Sequence, residues 1–448
     1  MNTGVDGFVH SGNCKTVNER RFKAYGVVGI VVFVSAAVLM RQGREPFVTY
    51  FYCFAWWSYI MVADAWVYRL EGASLVSTHP RRFVTMIPLS VFVWSLFEAF
   101  NFRLDNWHYI NVPQETWRRW LGYALAYGTV LPGLCVTTHL VRAMRVRRRL
   151  AVESIRLSAP VRSVIMGVGV ACLVSTLLIP RYAFPLLWLG GALALDPVNY
   201  RWGLPSLSRD LESGDVHRVL DLLTAGLICG FLWEFWNFWA QVKWIYTVPF
   251  FEWGKLFEMP IAGYLGFPLF AVTAFSTYHG LVCCVERRSS VSRIAFWIVV
   301  VGVCGSVFYG IDRFTVVSYV PRIIDFPEIE SSVSDTLENE GVRTAFDIMR
   351  LGHEGLLELG VEKDTAGQIC QVAGVVALKG MGIEHYRLLR RADVTTLSDL
   401  AAQNPEVLMK AIEGADEKAK TAGSTLHPAI VRMWIEEARR RSACNTER

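Results

Sequence analysis

Apolar runs long enough to cross a bilayer recur through the first three quarters of the chain, and short amphipathic patterns replace them after about Pro321. A hydrocarbon core about 30 Å thick asks for roughly 20 apolar residues in a helix. Nine segments approach that length, starting near Ala24, Pro46, Phe83, Leu121, Val161, Tyr182, Val219, Gly263 and Arg293. Lys15, Arg20, Arg21 and Lys23 precede the first run, as in a signal peptide. Yet the run is long, and Arg41, Gln42, Gly43 and Arg44 follow it where a small-residue cleavage site would stand, so it reads as a retained span. Gly302, Gly305 and Gly310 interrupt the ninth run, and Asp312 and Arg313 lie in it. A full span is expected there, with a re-entrant or interfacial course as the alternative.

Composition agrees with the pattern. Of 448 residues, 53% are hydrophobic and 19% charged, below the quarter usual in soluble domains. Basic residues gather in alternate loops: Arg69, Arg81 and Arg82; Arg142, Arg145, Arg147, Arg148 and Arg149; Arg287, Arg288 and Arg293. That asymmetry predicts a multi-pass protein of the inner (cytoplasmic) membrane with a cytoplasmic N-terminus. An odd number of spans then puts the C-terminus outside. The opposite loops, "DNWHYINVPQETW" and "KWIYTVPFFEWGKLFEMP", are aromatic, as membrane interfaces are. The ten cysteines form no CxxC pair and mostly sit in apolar runs, so they read as packing residues. With no zinc-type cluster, P-loop or GxSxG elbow, no metal or cofactor is expected.

The chain is also duplicated, with a period of roughly 135 residues. "ADAWVYRLEGASL" answers "ALDPVNYRWGLPSL", matching Asp64, Tyr68, Arg69, Gly72 and Ser74 with Asp196, Tyr200, Arg201, Gly203 and Ser206. "SLFEAFNFRLDNWHYINVP" answers "GFLWEFWNFWAQVKWIYTVP", matching Glu98, Asn101, Trp107 and Tyr109 with Glu234, Asn237, Trp244 and Tyr246. About four spans per copy is an even number, so the copies are parallel repeats about an axis along the membrane normal. The expected fold is an all-α, polytopic bundle of two parallel four-helix repeats plus one extra span, with a small C-terminal helical domain. Its parts are a cytoplasmic arm at 1–23, repeat 1 at 24–150, repeat 2 at 151–290, the ninth segment at 291–321 and the C-terminal domain at 322–448.

Intramembrane charges are expensive and mark function more often than chance. Glu98 and Glu234 each sit in an apolar, aromatic span, with Asn101 and Asn237 three residues on and on the same helix face. A carboxyl desolvated there favours its neutral form, which can serve as a general acid. Trp94, Trp107, Trp233, Trp236 and Trp244 offer π faces to a cation. The bland alternative is a Glu–Asn bond that locks two helices. Asp64 with Arg69, and Asp196 with Arg201, form a second polar layer near the cytoplasmic helix ends, suited to an ion pair or an anionic headgroup. Asp210, Glu212 and Asp215 suggest Mg²⁺, but the first copy lacks them and a solvated loop explains them. His108 and His279 read as interfacial.

At these residues the second half resembles the membrane-embedded lycopene cyclase domain of bacteria and archaea. The resemblance runs through "WEFWNFW", "KWIYTVPF" and "KLFEMPIAGYLGFPLFAVTAFSTY", about 50 residues in each half. It implies acid-initiated, non-redox ring closure of a polyene through a carbocation. Glu98, Glu234, Asn101, Asn237 and Glu258 would be the catalytic set, with Trp107, Tyr109, Trp233, Trp236, Trp244 and Tyr246 lining the substrate. The implied substrate is a membrane lipid or isoprenoid. A proton-coupled transporter is the alternative from another class, and a non-catalytic scaffold a third.

"LKGMGIEHYRLLRRADVTTLSDLAAQNPEVLMKAI" resembles a helix-hairpin-helix-like domain of unknown function, and "GVRTAFDIMRLGHEGLLELG" echoes its second half. DNA-binding relatives use such a Gly-Met-Gly turn to hold phosphate. From Arg322 onward, however, 16 basic residues face 21 acidic ones, the wrong balance for nucleic acid. A protein partner is expected instead.

Overall fold

The computed structural model describes residues 21–144, 152–250, 254–286, 289–415 and 426–446. Lys15, Arg20, Arg145, Arg147, Arg148, Arg149, Arg287 and Arg288, on which part of the charge argument rests, lie outside the described residues.

The chain forms two compact units. The first comprises Met1–Asn106, Trp120–Ala240 and Val248–Ile311; the second comprises Trp107–Arg119, Gln241–Thr247 and Asp312–Arg448. The fold is all-α, with a few very short strands.

The first unit begins with α1 (Ala24–Arg41), α2 (Phe47–Glu71), α3 (Leu75–Thr78) and α4 (Pro80–Leu104), followed by α5 (Thr116–Tyr127) and α6 (Val130–Ala143). The second copy supplies α7 (Ala159–Leu178), α8 (Pro180–Ala183), α9 (Leu187–Arg201), α10 (Leu207–Glu212), α11 (His217–Trp239) and α12 (Gly266–Glu286); α13 (Ser290–Phe314) follows. Among the described residues, seven helical stretches are long and apolar enough to cross a membrane. They are α1, α4, the joined α5–α6, α7, α11, α12 with the turn before it, and α13. This is the make-up of a multi-pass membrane protein.

Two of the nine expected spans fall short. The α2 helix has 25 residues, but tyrosines, tryptophans and Asp64 dilute its apolar character; much of it is buried. The α9 helix has 15 residues, because Pro180 and Pro185 break the run before it. The glycines of the ninth segment do not break it: α13 is one continuous helix of 25 residues. Val28 and Val31 on α1, Val164 and Leu178 on α7, and Val291 and Ile298 on α13 are exposed apolar residues, the surface lipid covers.

The duplication has a local structural signature. Asp64 accepts from the Ser74 hydroxyl at 2.7 Å and the Val76 amide at 3.0 Å. Asp196 accepts from the Leu207 and Ser208 amides at 2.6 and 2.9 Å. In both copies the serine two or three positions after the glycine, Ser74 after Gly72 or Ser206 after Gly203, is the N-cap of the short helix that follows. Each aspartate thus satisfies the amides that open α3 or α10.

The second unit is assembled from distant segments. Strand β1 (Trp107–Ile110) pairs antiparallel with β2 (Lys243–Tyr246) in the register Trp107–Tyr246, His108–Ile245, Tyr109–Trp244 and Ile110–Lys243. Tyr109 and Val112 also bridge in parallel to Val316 and Tyr319, just after α13. Ile110 and Ile245 are fully buried in the hydrophobic core of the C-terminal helices. Those helices are α14 (Ser331–Asn339), α15 (Ala345–Glu358), α16 (Lys363–Val376), α17 (Gly382–Arg391), α18 (Leu397–Ala401), α19 (Pro405–Ala415) and α20 (Pro428–Thr446).

The C-terminal helices are themselves duplicated. Thr344 with Asp347, and Thr396 with Asp399, form reciprocal capping boxes. Before each box the chain turns through a left-handed residue, Gly341 or Asp393. The next amide, of Val342 or Val394, then reaches back to the carbonyl of Leu337 or Leu389 at 2.9 and 3.0 Å.

Candidate functional site

Glu98 and Glu234, with Asn101 and Asn237, have no exposed surface. The Trp94 indole N–H donates to Glu98 Oε1 at 2.8 Å, and the Tyr127 hydroxyl donates to the same oxygen at 3.3 Å. Trp94 is one helical turn before Glu98, so α4 alone sets that contact; Tyr127 comes from the end of α5. Asn101 accepts the Asn106 amide at 3.0 Å, which closes the chain around the left-handed Asp105 where α4 ends. Its placement is that of a terminating residue for the helix.

The two copies meet through aromatic rings. Trp94 of α4 lies 5.6 Å from Trp233 of α11, the residue before Glu234. Phe270 of α12 packs edge-on against Trp94 and Phe97 at 5.7 and 5.0 Å. Trp188 of α9 stacks on Phe97 at 5.6 Å. On the other side of Trp233, Trp56 of α2 touches both Trp233 and Trp236, at 5.5 and 4.8 Å. Tyr52 and Tyr264 lie within electrostatic reach of Glu234. Glycines allow this close approach. A side chain at Gly133 would come within 2.8 Å of the Trp56 ring, and one at Gly230 would collide with Phe267.

Glu258 is buried in a two-strand hairpin, β3 (Lys255–Leu256) and β4 (Met259–Pro260). Phe257, at its left-handed corner, packs against Phe231, Phe235 and Phe238 of α11. The hairpin is therefore fastened to one face of the helix that bears Glu234.

The other sequence candidates are placed differently. Trp107, Tyr109, Trp244 and Tyr246 belong to the β1–β2 ladder of the second unit, where the Trp244 indole donates to the Tyr246 hydroxyl at 2.8 Å. Asp64 is engaged by Tyr25, Ser74 and Val76. Arg69 rests over the Trp66 ring at 5.2 Å, and Arg201 is exposed at the end of α9. The acidic stretch is neutralised locally: Arg218 reaches Asp210 at 3.3 Å and Arg162 reaches Glu212 at 3.4 Å. Among the described residues no group of three or more His, Cys, Asp or Glu is placed to hold a metal ion.

Three residues around Glu98, namely Tyr127, Trp188 and Phe270, were not candidates from sequence. Arg119 was missed as well. It is nearly buried, grips Asp312 through Nε at 3.0 Å and Nη2 at 2.8 Å, and donates to the Pro113 carbonyl at 3.0 Å. In the second unit, burial and the neighbouring Glu328 carboxylate push the Tyr386 hydroxyl up to about 12, and burial raises the Glu384 carboxyl. The Gly380–Met381–Gly382 turn is packed in: Cβ atoms at the two glycines would meet Ile110 at 3.1 Å and Ser318 at 3.0 Å.

A family model described as "Domain of unknown function (DUF4332)" matches residues 327–441, which are the C-terminal helices. No curated protein and no solved structure matches the chain.

Proposed function

We propose that this protein is a membrane enzyme that performs acid-initiated, non-redox chemistry on a lipid-dissolved polyene or isoprenoid. The observation that carries this reading is Glu98, wholly buried and held by Trp94 and Tyr127 inside an aromatic cluster built from both copies. A carboxylic acid there can give its proton to a carbon–carbon double bond. The cation then sits against indole and phenyl faces, a second double bond supplies the electron pair for a new C–C bond, and loss of a proton returns the acid. Atoms and electrons balance without oxidant, metal or co-reactant. Glu234, next to Trp233 and matched to Glu98 by the duplication, is the corresponding acid of the second copy. The partial resemblance to lycopene cyclase domains points the same way.

The β1–β2 ladder favours this reading over a proton-coupled carrier. Alternating access moves one repeat against the other. Here a segment of each repeat is hydrogen-bonded to its counterpart and set into one hydrophobic core. The same core covers the glycine turn that DNA-binding relatives would offer to phosphate, so the C-terminal module works as a protein-binding element whose ligands include the chain's own loops. In the proposed orientation the N-terminus faces the cytoplasm, and these loops and the module lie outside.

The test is a chromatographic comparison of lipids from a polyene-producing host expressing the wild type, Glu98→Gln or Glu234→Gln. A new cyclised product with the wild type alone is the expected result. Identical lipid profiles from the wild type and the empty host overturn the reading.

A further inference from the structure

We infer that α13 is a lateral gate, and that an apolar chain dissolved in the bilayer reaches Glu98 by passing between this helix and α4. Glu98 has no exposed surface, so nothing meets its carboxyl unless an element beside it moves. A water-insoluble chain collects in the hydrocarbon, and from there it approaches sideways. That side is covered by α13. Phe308, 6% exposed, is set against Trp120, Tyr123 and Tyr127 at 5.8, 5.4 and 5.9 Å. These three residues share one face of α5, and the Tyr127 hydroxyl donates to Glu98. Phe308 is thus one aromatic ring removed from the acid. Close by, a side chain at Gly310 would meet the Phe102 ring at 2.6 Å, so the glycine lets α13 lie directly against α4.

Among the membrane-spanning helices that meet around Glu98, α13 is the least firmly held. Only 28% of its apolar stretch is buried, against 39% for α12, 44% for α4, 50% for α11 and 61% for the joined α5–α6. Its buried residues are Val300, Cys304, Val307, Phe308, Gly310 and Ile311. None lies between Ser290 and Val299, where Val291, Ile294, Ile298 and Val299 are more than half exposed. Elements with few buried contacts open at the lowest cost. Gly302 and Gly305 follow the junction between the unpacked and the packed part, and a side chain at either would meet nothing within 4 Å. Packing gives no reason for glycine there. Inside a helix it weakens the backbone, which makes the junction a place to bend. The helix also stands outside the duplicated copies, so it can move without disturbing the packing of one copy on the other.

The gate serves the proposed function, and what passes through it rests on that reading. Opening swings the first part of α13 away from α4 and draws Phe308 off the Tyr127 ring. A polyene then lies along α4 in its place, with the indole and phenyl rings of the cluster on its far side. Closure keeps water from the cation while it lasts.

The experiment follows the reaction of Glu98 with dicyclohexylcarbodiimide, a lipid-soluble reagent, in the full-length protein in phosphatidylcholine nanodiscs. The carboxylic acid adds across a C=N bond of the reagent and the adduct rearranges to a stable N-acylurea, so the peptide bearing Glu98 gains the mass of the reagent. The Ser95 hydroxyl of α4 lies within hydrogen-bond reach of the Cys304 thiol of α13, a spacing that a disulfide bridges. Ser95→Cys therefore allows a cross-link that pins the helix shut. The reduced variant should be labelled as the wild type is. Once oxidised, it should be labelled no more than Glu98→Gln, and reductant should restore the reaction. Ser95→Cys combined with Cys304→Ala should ignore the oxidant. Phe308→Ala, which needs no cross-link to form, should be labelled faster than the wild type. Equal rates for Phe308→Ala and the wild type, equal rates for the cross-linked and reduced protein, or a Glu98 that never reacts would each overturn the gate. Labelling needs no turnover. Labelling that obeys the cross-link in a protein that forms no lipid product would reject the enzymatic reading and leave the gate standing, whereas product formed by the cross-linked protein would overturn the gate alone.

Discussion

His108 and Ile245 stand opposite each other in the β1–β2 ladder, and they occupy equivalent positions in the two copies of the duplicated sequence. On either side of them Trp107 faces Tyr246 and Tyr109 faces Trp244, so each pair is the other with the copies exchanged. Two equivalent strands can pair in this self-complementary way only about a two-fold axis. The ladder therefore marks that axis, and it explains why two four-residue strands persist: each satisfies its backbone through the other, and β1 also through the segment after α13.

A covalent lock at this point separates enzyme from carrier. Directly opposed residues of an antiparallel pair lie roughly 4.5–5.5 Å apart at Cα, within disulfide range. His108→Cys combined with Ile245→Cys should cross-link on mild oxidation, while either single change does not. The oxidised double variant should still convert lipid, because the reaction does not need the repeats to rock. Loss of all activity on oxidation, restored by reductant, would contradict that expectation.

The hydrogen bonds at Glu98 predict a split between two substitutions. Glutamine keeps an oxygen that can accept from Trp94 and Tyr127. Alanine removes that acceptor from the part-buried Trp94 indole and the buried Tyr127 hydroxyl, at a cost of about 1–3 kcal/mol for each bond lost to the carboxylate. Glu98→Gln should therefore retain the thermal stability of the wild type in detergent and lose the lipid product. Glu98→Ala should lose both, by several degrees in Tm for the first.

Much of this arrangement was legible in the chain, for reasons that can be named. Asp64 and Asp196 recur because each feeds the amides of a short helix, a local requirement that preserves residue type and spacing. The buried glutamates stood out because ionisable groups in apolar runs are costly. The aromatic neighbours of Glu98 were only partly visible. Trp94 is fixed by helical spacing, but Tyr127, Trp188 and Phe270 arrive from other helices, and no sequence period links them. The greatest departure concerns Trp107, Tyr109, Trp244 and Tyr246. Aromatic loop residues suit a membrane interface equally well, so composition could not reveal that they pair as strands. Nor could it show that Ile110 and Ile245 enter the core of the C-terminal helices, a contact more than two hundred residues distant in sequence for Ile110.

The aspartates of the cytoplasmic layer should prove structural in their effects. Asp196→Ala strands the Leu207 and Ser208 amides and the Ser208 hydroxyl, a loss of about 2–4 kcal/mol by ordinary hydrogen-bond magnitudes. Asp196→Asn keeps one acceptor oxygen and should lose roughly half as much. Thermal unfolding of the two variants in the same detergent checks the order. Equal stability for wild type and alanine variant would show that α10 does not depend on this carboxylate.

Acid should loosen the C-terminal module at the Thr396–Asp399 capping box before it reaches the helix interiors. The Thr395 and Thr396 amides and hydroxyls hold the Asp399 carboxyl below the usual aspartate range. A carboxyl with a depressed folded value gives its full stabilisation above the unfolded value and loses it as the pH falls through the folded one. Asp399 is half-buried at the start of a five-residue helix, so the effect is local fraying. Hydrogen exchange on the full-length protein should show residues 395–400 well protected at neutral pH and progressively less so below the ordinary aspartate range. In Asp399→Asn the protection should be weaker at neutral pH and nearly independent of acid. A wild-type profile at 395–400 that stays flat while the rest of the module opens in acid would count against the capping box as the sensitive element.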